Sequence, residues 1–335
     1  MIPFETWLYP TTRGLYCAPG DFFIDPPAGV DRAVITHGHS DHARPGHGTV
    51  LATPETIEIM KLRLGEASGQ TKQALGYGVP LRIGDVLVTL YPAGHVLGSA
   101  QVAMEYGGGR AVVSGDYKRR SDPTAAGFEV RRCDLFVTEA TFGLPVFRHE
   151  PDDREIGRLL TSVATFPDRS HLVGAYGLGK AQRIIALLRR AGYDKPIYLH
   201  GALIRMCELY QRLGVDLGEV SPVDPDATRQ LAGEIVIAPP SALADRWSRR
   251  LVDPVTAFAS GWMRVKARAR QRGVELPLVI SDHADWTEIL TTIEDTGAGE
   301  IWVTHGREEG IVHAVKQMGR TARALALVGR EDEGE

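Results

Sequence analysis

Up to about residue 145 the apolar positions fall in short runs bounded by Gly, Pro or Asp. They are RAVITH (32–37), DVLVTLYPA (85–93), AQVAMEY (100–106), RAVVSGD (110–116) and DLFVTEA (134–140). Runs of this length rich in β-branched residues predict strands. Several stop at or beside a side chain able to do chemistry: His37, His95, Asp116 and Glu139. Functional groups at strand ends are what a rigid scaffold with catalytic loops produces.

From about residue 150 the period changes. REIGRLLTSVATF (154–166) predicts a helix, HLVGAY (171–176) a strand, and KAQRIIALLRRAG (180–192) a helix with Ala181, Ile184, Ile185 and Leu188 on one apolar stripe. PIYLHG (196–201), LIRMCELYQRLG (203–214) and EIVIAPP (234–240) continue as strand, helix, strand, which predicts βαβ units around a parallel sheet. The last stretch returns to strands that end in polar residues. LPLVISDHADW (276–286) leads into a helix capped by Asp285, with Glu288 completing a capping box, and EIWVTHGREEG (300–310) precedes helical IVHAVKQMG (311–319). The acidic REDEGE (330–335) reads as a frayed tail. A sheet-rich part built from residues 1–147 and 280–335 thus encloses an α/β segment, 148–279.

Composition narrows the class. With 43% hydrophobic and 24% charged residues over 335 positions the chain is globular, and no apolar run approaches the ~18 residues that span a bilayer. The N-terminus lacks the basic start and apolar core of a signal peptide. Cys17, Cys133 and Cys207 lie far apart, with no zinc-knuckle or CxxC spacing, which predicts reduced buried thiols and a cytoplasmic protein. The formal net charge of −4 gives no overall basic excess, so nucleic-acid binding would require a local basic surface or bound metal.

The densest chemistry lies in VITHGHSDHARPGH (34–47). His37, His39, Asp41 and His42 form H-x-H-x-D-H. Imidazole with carboxylate suits zinc, manganese or iron. In an extended or turning segment His37 and His39 point the same way, while the turn sends Asp41 and His42 elsewhere. One loop can therefore feed two metals ~3.5–4 Å apart. Among the other histidines, His47 reads as a surface residue of a Pro/Gly loop, and His149, His171, His200 and His313 stand isolated.

The motif resembles the metallo-β-lactamase superfamily, and the remaining signature follows in order: FFIDPP with Asp25, PAGHVLGSA with His95, VVSGDY with Asp116 and VTHG with His305. Within it, TEATFG (Glu139), SDHADW (His283), THG (His305) and LGKAQ (178–182) resemble the β-CASP nucleases, most nearly the short bacterial ligase-associated DNA exonucleases. The resemblance implies an αββα four-layer lactamase sandwich, 1–147 with 280–335, and an inserted β-CASP domain on a parallel sheet, 148–279. It implies two divalent ions, zinc and/or manganese: His37, His39 and His95 on one, Asp41, His42 and His305 on the other, Asp116 bridging. His283 would be the general acid oriented by Glu139, and Asp25 would fix a ligand histidine or the motif loop.

The implied reaction is phosphodiester hydrolysis by a hydroxide generated between the two ions. Single-stranded DNA degraded from its 5′ end is the implied substrate, in repair alongside an ATP-dependent DNA ligase and a helicase. GWMRVKARARQRG (261–273) is the best basic candidate for phosphate contacts: Arg264, Lys266, Arg268, Arg270 and Arg272 share a face if extended, and Arg264, Arg268 and Arg272 if helical. Lys118 and Arg119 are a second candidate, and Trp262 and Trp286 are available for stacking on bases. GAYGLGKAQ is not a phosphate-loop motif, because Ala181 stands where Ser or Thr is required. A ribonuclease of the same architecture would share every catalytic residue. A lactamase or thioesterase would lack the long insert and the Glu139/His283 pair, and a module without metals would not keep the full ligand set.

Overall fold

The computed structural model describes residues 1–224, 226 and 231–327; the REDEGE stretch lies outside them. The chain divides into two compact units, Met1–Phe147 with the segment from His283 onward, and Arg148–Asp282.

Among the described residues the first unit carries two sheets. One has the order Leu8–Thr11, Gly14–Cys17, Phe22–Ile24, Arg32–Val34, Thr49–Ala52, Thr71–Ala74, antiparallel over its first two pairings and parallel over the rest. The other runs Thr321–Ala324, Glu300–Gly306, Leu135–Ala140, Gly109–Val113, Ala100–Tyr106, Val86–Pro92, Pro80–Ile83. Its first three pairings are parallel, which is why Leu135–Ala140 reads as an unbroken apolar run and is buried at every residue.

The period of two along these strands divides their side chains between two cores. Leu135 and Val137, with Val88, Val102, Val113 and Trp302, meet Leu8, Phe22, Val34 and Leu51 of the first sheet. Phe136, Val112 and Ile301 point the opposite way, onto Ile289 and Ile293 of the helix Trp286–Thr296 and Ile311 and Val315 of the helix Glu308–Gln317. On the first sheet, Ala33 and Val50 pack with Ile57 and Met60 of the helix Pro54–Leu64. The strand-rich reading of this region missed that helix. Its start is signalled by Thr53, whose side chain accepts from the Thr56 N–H, and by Pro54 in the first turn. The Asp285/Glu288 capping box forms as expected.

The second unit is a wholly parallel sheet in the order Val220–Pro222, Ile197–Leu199, Ile235–Ala238, His171–Gly174, Val255–Ala259, Leu276–Leu278. Its helices include Asp152–Thr165, Lys180–Arg190 and Gly201–Arg212. In Lys180–Arg190 the stripe Ala181, Ile184, Ile185, Leu188 is buried, but so are Lys180, Gln182 and Arg183. The two cations are matched within the unit. Lys180 Nζ donates to Ile280 O at 3.0 Å and pairs with Asp282 at 3.1 Å, while Arg183 pairs with Asp282 at 2.9 Å and with Asp152. Removing one partner of such a buried set costs about 3–5 kcal/mol, because a charge is left without compensation. Among the described residues no helix is long and apolar enough to cross a membrane, and Cys17, Cys133 and Cys207 are free and buried.

Candidate metal centre

The side chains singled out in the first unit sit at carboxyl ends of strands: Asp25 after Phe22–Ile24, His37 after Arg32–Val34, His95 after Val86–Pro92, Asp116 after Gly109–Val113. Glu139 and His305 lie in the last residues of Leu135–Ala140 and Glu300–Gly306. The pairing of these last two strands slips between Glu139 and Ala140, leaving His305 as an extra residue at φ +60°. A bulge of this kind turns a side chain away from the regular pleat. The loops are cross-tied: Lys118 N–H donates to Ala93 O at 3.1 Å, and Ala284 N–H to Tyr117 O at 2.6 Å.

These loops bring the donors into three groups, within each of which the ligand atoms lie within 4.8 Å of one another: His37, His39, His95 and Asp116; Asp41, His42 and His305; Asp116, Glu139 and His283. His39 Nδ1 lies 3.1 Å from His37 Nε2 and 3.0 Å from His95 Nε2. Tetrahedral bonds of ~2.0–2.1 Å to one ion would set nitrogens about 3.3 Å apart, so the spacing fits a shared cation. Asp116 Oδ2 is central, 3.5 Å from His37, 3.3 Å from His42 and 3.8 Å from His95. His42 Nε2 also lies 3.4 Å from Asp41. His305 Nδ1 is buried and makes no hydrogen bond among the described residues, a costly state unless an ion receives its lone pair. The donor chemistry and this atom therefore fit divalent metal, with zinc, manganese and iron all compatible.

Electrostatics agree. Burial, reinforced by His42, pushes the His37 imidazole well below its ordinary value, as a neutral ligand requires. Burial opposes charge at His42 and Asp116 too, yet each is held charged by its neighbours. Asp116, Asp41 and Asp25 hold His42 well above its usual range, and His42, His283 and His37 hold Asp116 well below. Asp41 is depressed in the same way, by His42 against the effect of burial. A cation would take over this balancing role and release the His42 proton.

Around the donors stands a buried polar frame. Asp25 accepts from Thr36 N at 2.8 Å and Thr36 Oγ1 at 2.7 Å, and its Oδ2 lies 2.7 Å from His42 Nδ1. Glu139 accepts from Tyr117 N at 2.8 Å and Thr141 Oγ1 at 2.5 Å, and its Oε2 lies 2.9 Å from His283 Nδ1. Thr36 and Thr141 went unnoticed in the sequence because single threonines carry no spacing signal. Their signal is adjacency, each lying within two residues of an expected functional group.

Other expectations change. Lys118 is fully buried and paired with Asp122, so it offers nothing to a nucleic acid. Arg119 is partly covered and tied to Asp295 at 2.6 Å. His47 is buried too, its Nδ1 accepting from Val30 N at 3.3 Å, because the Pro/Gly loop folds inward. In the second unit GWMRVKARARQRG is helical, as Gly261–Arg264 and Lys266–Arg272. Arg264, Lys266, Arg268, Arg270 and Arg272 are exposed, but Arg268 lies over the Trp262 ring at 3.8 Å and Arg272 over Phe258 at 4.4 Å. Trp262 is consequently a covered, buried ring with no face for a base, and Trp286 packs against the helix-side core.

Strand-end histidines and aspartates gathered around one carboxylate, on a mixed α/β scaffold, mark a metal-centre class. The chain resembles the β-CASP nucleases of the metallo-β-lactamase superfamily, as its motifs indicate. It is 27% identical over 327 residues to a probable DNA ligase of Opitutus terrae, covering 95% of this chain and 31% of the ligase. It is 29% identical over 245 residues to the endoribonuclease ysh-1 of Neurospora crassa, covering 60% of this chain and 28% of that protein. The chain thus spans less than a third of either curated relative. A crystal structure of a protein of unknown function from Enterococcus faecalis V583 shares the fold, with TM-score 0.56 at 13% identity over 81% of this chain and 74% of that one. No family model matches.

Proposed function

We propose that the chain is a two-metal nuclease of β-CASP type that hydrolyses single-stranded DNA from its 5′ end. The observation that carries this reading is Asp116: one buried carboxylate oxygen lies within 3.8 Å of His37 and His95 of one histidine group and 3.3 Å from His42 of the other. On this reading the two facing sheets with helices on their outer sides are the αββα sandwich, and Arg148–Asp282 is the β-CASP domain. His37, His39 and His95 would hold one ion, Asp41, His42 and His305 the other, and Asp116 would contribute to both. When bound, zinc or manganese supplies a water of lowered pKa and takes up charge developing on the phosphate. Asp25 holds His42 in place. His283, with Glu139 fixing its Nδ1, presents Nε2 to protonate the departing sugar oxygen. Arg264, Lys266 and Arg270, which lie over no aromatic ring among the described residues, contact phosphates. The ligase relative supports a DNA substrate and a ligase-linked repair setting, in which a helicase would act alongside.

The endoribonuclease relative favours a second reading, cleavage of RNA by the same residues. Single-stranded DNA and RNA, each end-labelled at either terminus, incubated with metal-free protein plus one added metal at a time, separate the two. Mononucleotide release from 5′-labelled DNA is expected with manganese or zinc. Faster attack on RNA replaces the proposal with the second reading, and no cleavage under any metal ends both.

A further inference from the structure

We propose that the Thr36 hydroxyl sets the tautomer of His37 and, through Asp25, that of His42, tying the two donor groups into one unit. This rests on the metal-centre reading above. Thr36 is buried between the end of Arg32–Val34 and His37. Its Oγ1 lies 2.7 Å from Asp25 Oδ2, 3.1 Å from His37 Nδ1 and 3.4 Å from His42 Nδ1. A hydroxyl has one proton to give. The shortest contact is to a carboxylate, which only accepts, so the proton goes to Asp25 and Thr36 accepts from the imidazole. His37 therefore carries its hydrogen on Nδ1 and turns a bare Nε2 toward His39 and Asp116. Asp25 Oδ2 receives the His42 Nδ1–H at 2.7 Å, so a neutral His42 likewise turns a bare Nε2 toward Asp41 and Asp116.

His37 and His42 belong to different donor groups, and Thr36 with Asp25 touches both. The third element of the arrangement is held against the same side chain. Gly115, at φ +57°, precedes the shared Asp116, and a Cβ there would lie 2.8 Å from both Cβ and Oγ1 of Thr36. Only glycine lets the Asp116 loop close on the threonine. Thr36 is thus a positioning residue for His37, His42 and Asp116 together.

The test compares Thr36→Val, which keeps the shape and loses the hydroxyl, with Thr36→Ser, which keeps the hydroxyl. Both are prepared as full chain with matched circular dichroism. Zinc affinity is read by competition with a chromophoric chelator, and the His37 tautomer by long-range ¹H–¹⁵N correlation. Thr36→Val is expected to bind roughly 10–100-fold more weakly, with both ions lost together and the His37 Nδ1–H preference gone. Thr36→Ser should stay close to the wild type in both readouts. Wild-type affinity and tautomer in Thr36→Val overturn the proposal, as does a serine variant as weak as the valine one. Should the wild type take up none of zinc, manganese and iron, the metal reading itself fails. The tautomer in metal-free protein then still decides the role of Thr36, an Nε2–H His37 in the wild type refuting it.

Discussion

Replacing His283 with alanine separates two roles that its surroundings leave open. His283 shares a group with Asp116 and Glu139 whose ligand atoms converge within 4.8 Å, so it could bind metal, whereas the proposal makes it a proton donor. The change removes ring contacts with His95 and Phe142, at 4.7 and 6.1 Å between centroids, and one charge-assisted hydrogen bond to Glu139. Glu139 keeps its bonds from Tyr117 N and Thr141 Oγ1, so no carboxylate is stranded and the stability cost is about 1.5–3 kcal/mol. Loss of a general acid slows proton-dependent departure roughly 10²–10⁴-fold, or about 2.7–5.5 kcal/mol of transition-state stabilisation. A nitrophenolate leaves without a proton. Single-turnover rates on labelled single-stranded DNA and on a bis(nitrophenyl) phosphate, with metal content by mass spectrometry, should show a large loss on DNA, little on the aryl diester, and unchanged metal. Equal losses on both substrates, or loss of an ion, would refute the assignment as acid.

Asp116→Ala should release both ions, because one oxygen lies 3.5 Å from His37 and 3.3 Å from His42; metal analysis showing two normally filled sites would refute the proposed bridging role. Arg264, Lys266 and Arg270 changed together to alanine should reduce the slope of log affinity against log salt for single-stranded DNA by up to ~2, at ~0.7 per lost contact. An unchanged slope would leave that face merely solvated. Arg268→Ala and Arg272→Ala should instead lower thermal stability, by about 0.5–2 kcal/mol each, since they cover Trp262 and Phe258. Burial pushes the thiols of Cys17 and Cys133 up to about 12 and that of Cys207 to about 11. Between the unfolded value, ~8.5, and these the native state binds more protons, so stability should fall as pH rises through that window. Denaturant titrations from pH 8 to 10 check the sign, and rapid alkylation of the native protein at neutral pH would contradict the burial.

Much of this architecture was legible because its signals are local. The H-x-H-x-D-H spacing, the polar residues closing apolar runs and the Asp285/Glu288 box each lie within a few residues, where chain geometry alone fixes relative positions. What escaped depends on distant partners. Lys118 looked like a surface cation, and only Asp122 and the fold around it explain how it is buried. The ring of Trp262 looked available until the arginine that covers it was seen. His305 was singled out by its place in VTHG, but its left-handed backbone arises from a slip against Leu135–Ala140, which no pattern within its own strand encodes. The helix Pro54–Leu64 was overlooked although its capping threonine and proline were in view.

The position of Glu300–Gly306 within its sheet has a consequence for synthesis. This strand inserts between Leu135–Ala140, made much earlier, and Thr321–Ala324, made later, and it delivers His305. A nascent polypeptide halted before it would already possess His37, His39 and His95, yet Asp41 and His42 would lack their third companion. On the proposed reading, hydrolytic competence would then wait for this strand, whose long-range pairing is of the kind that folds slowly.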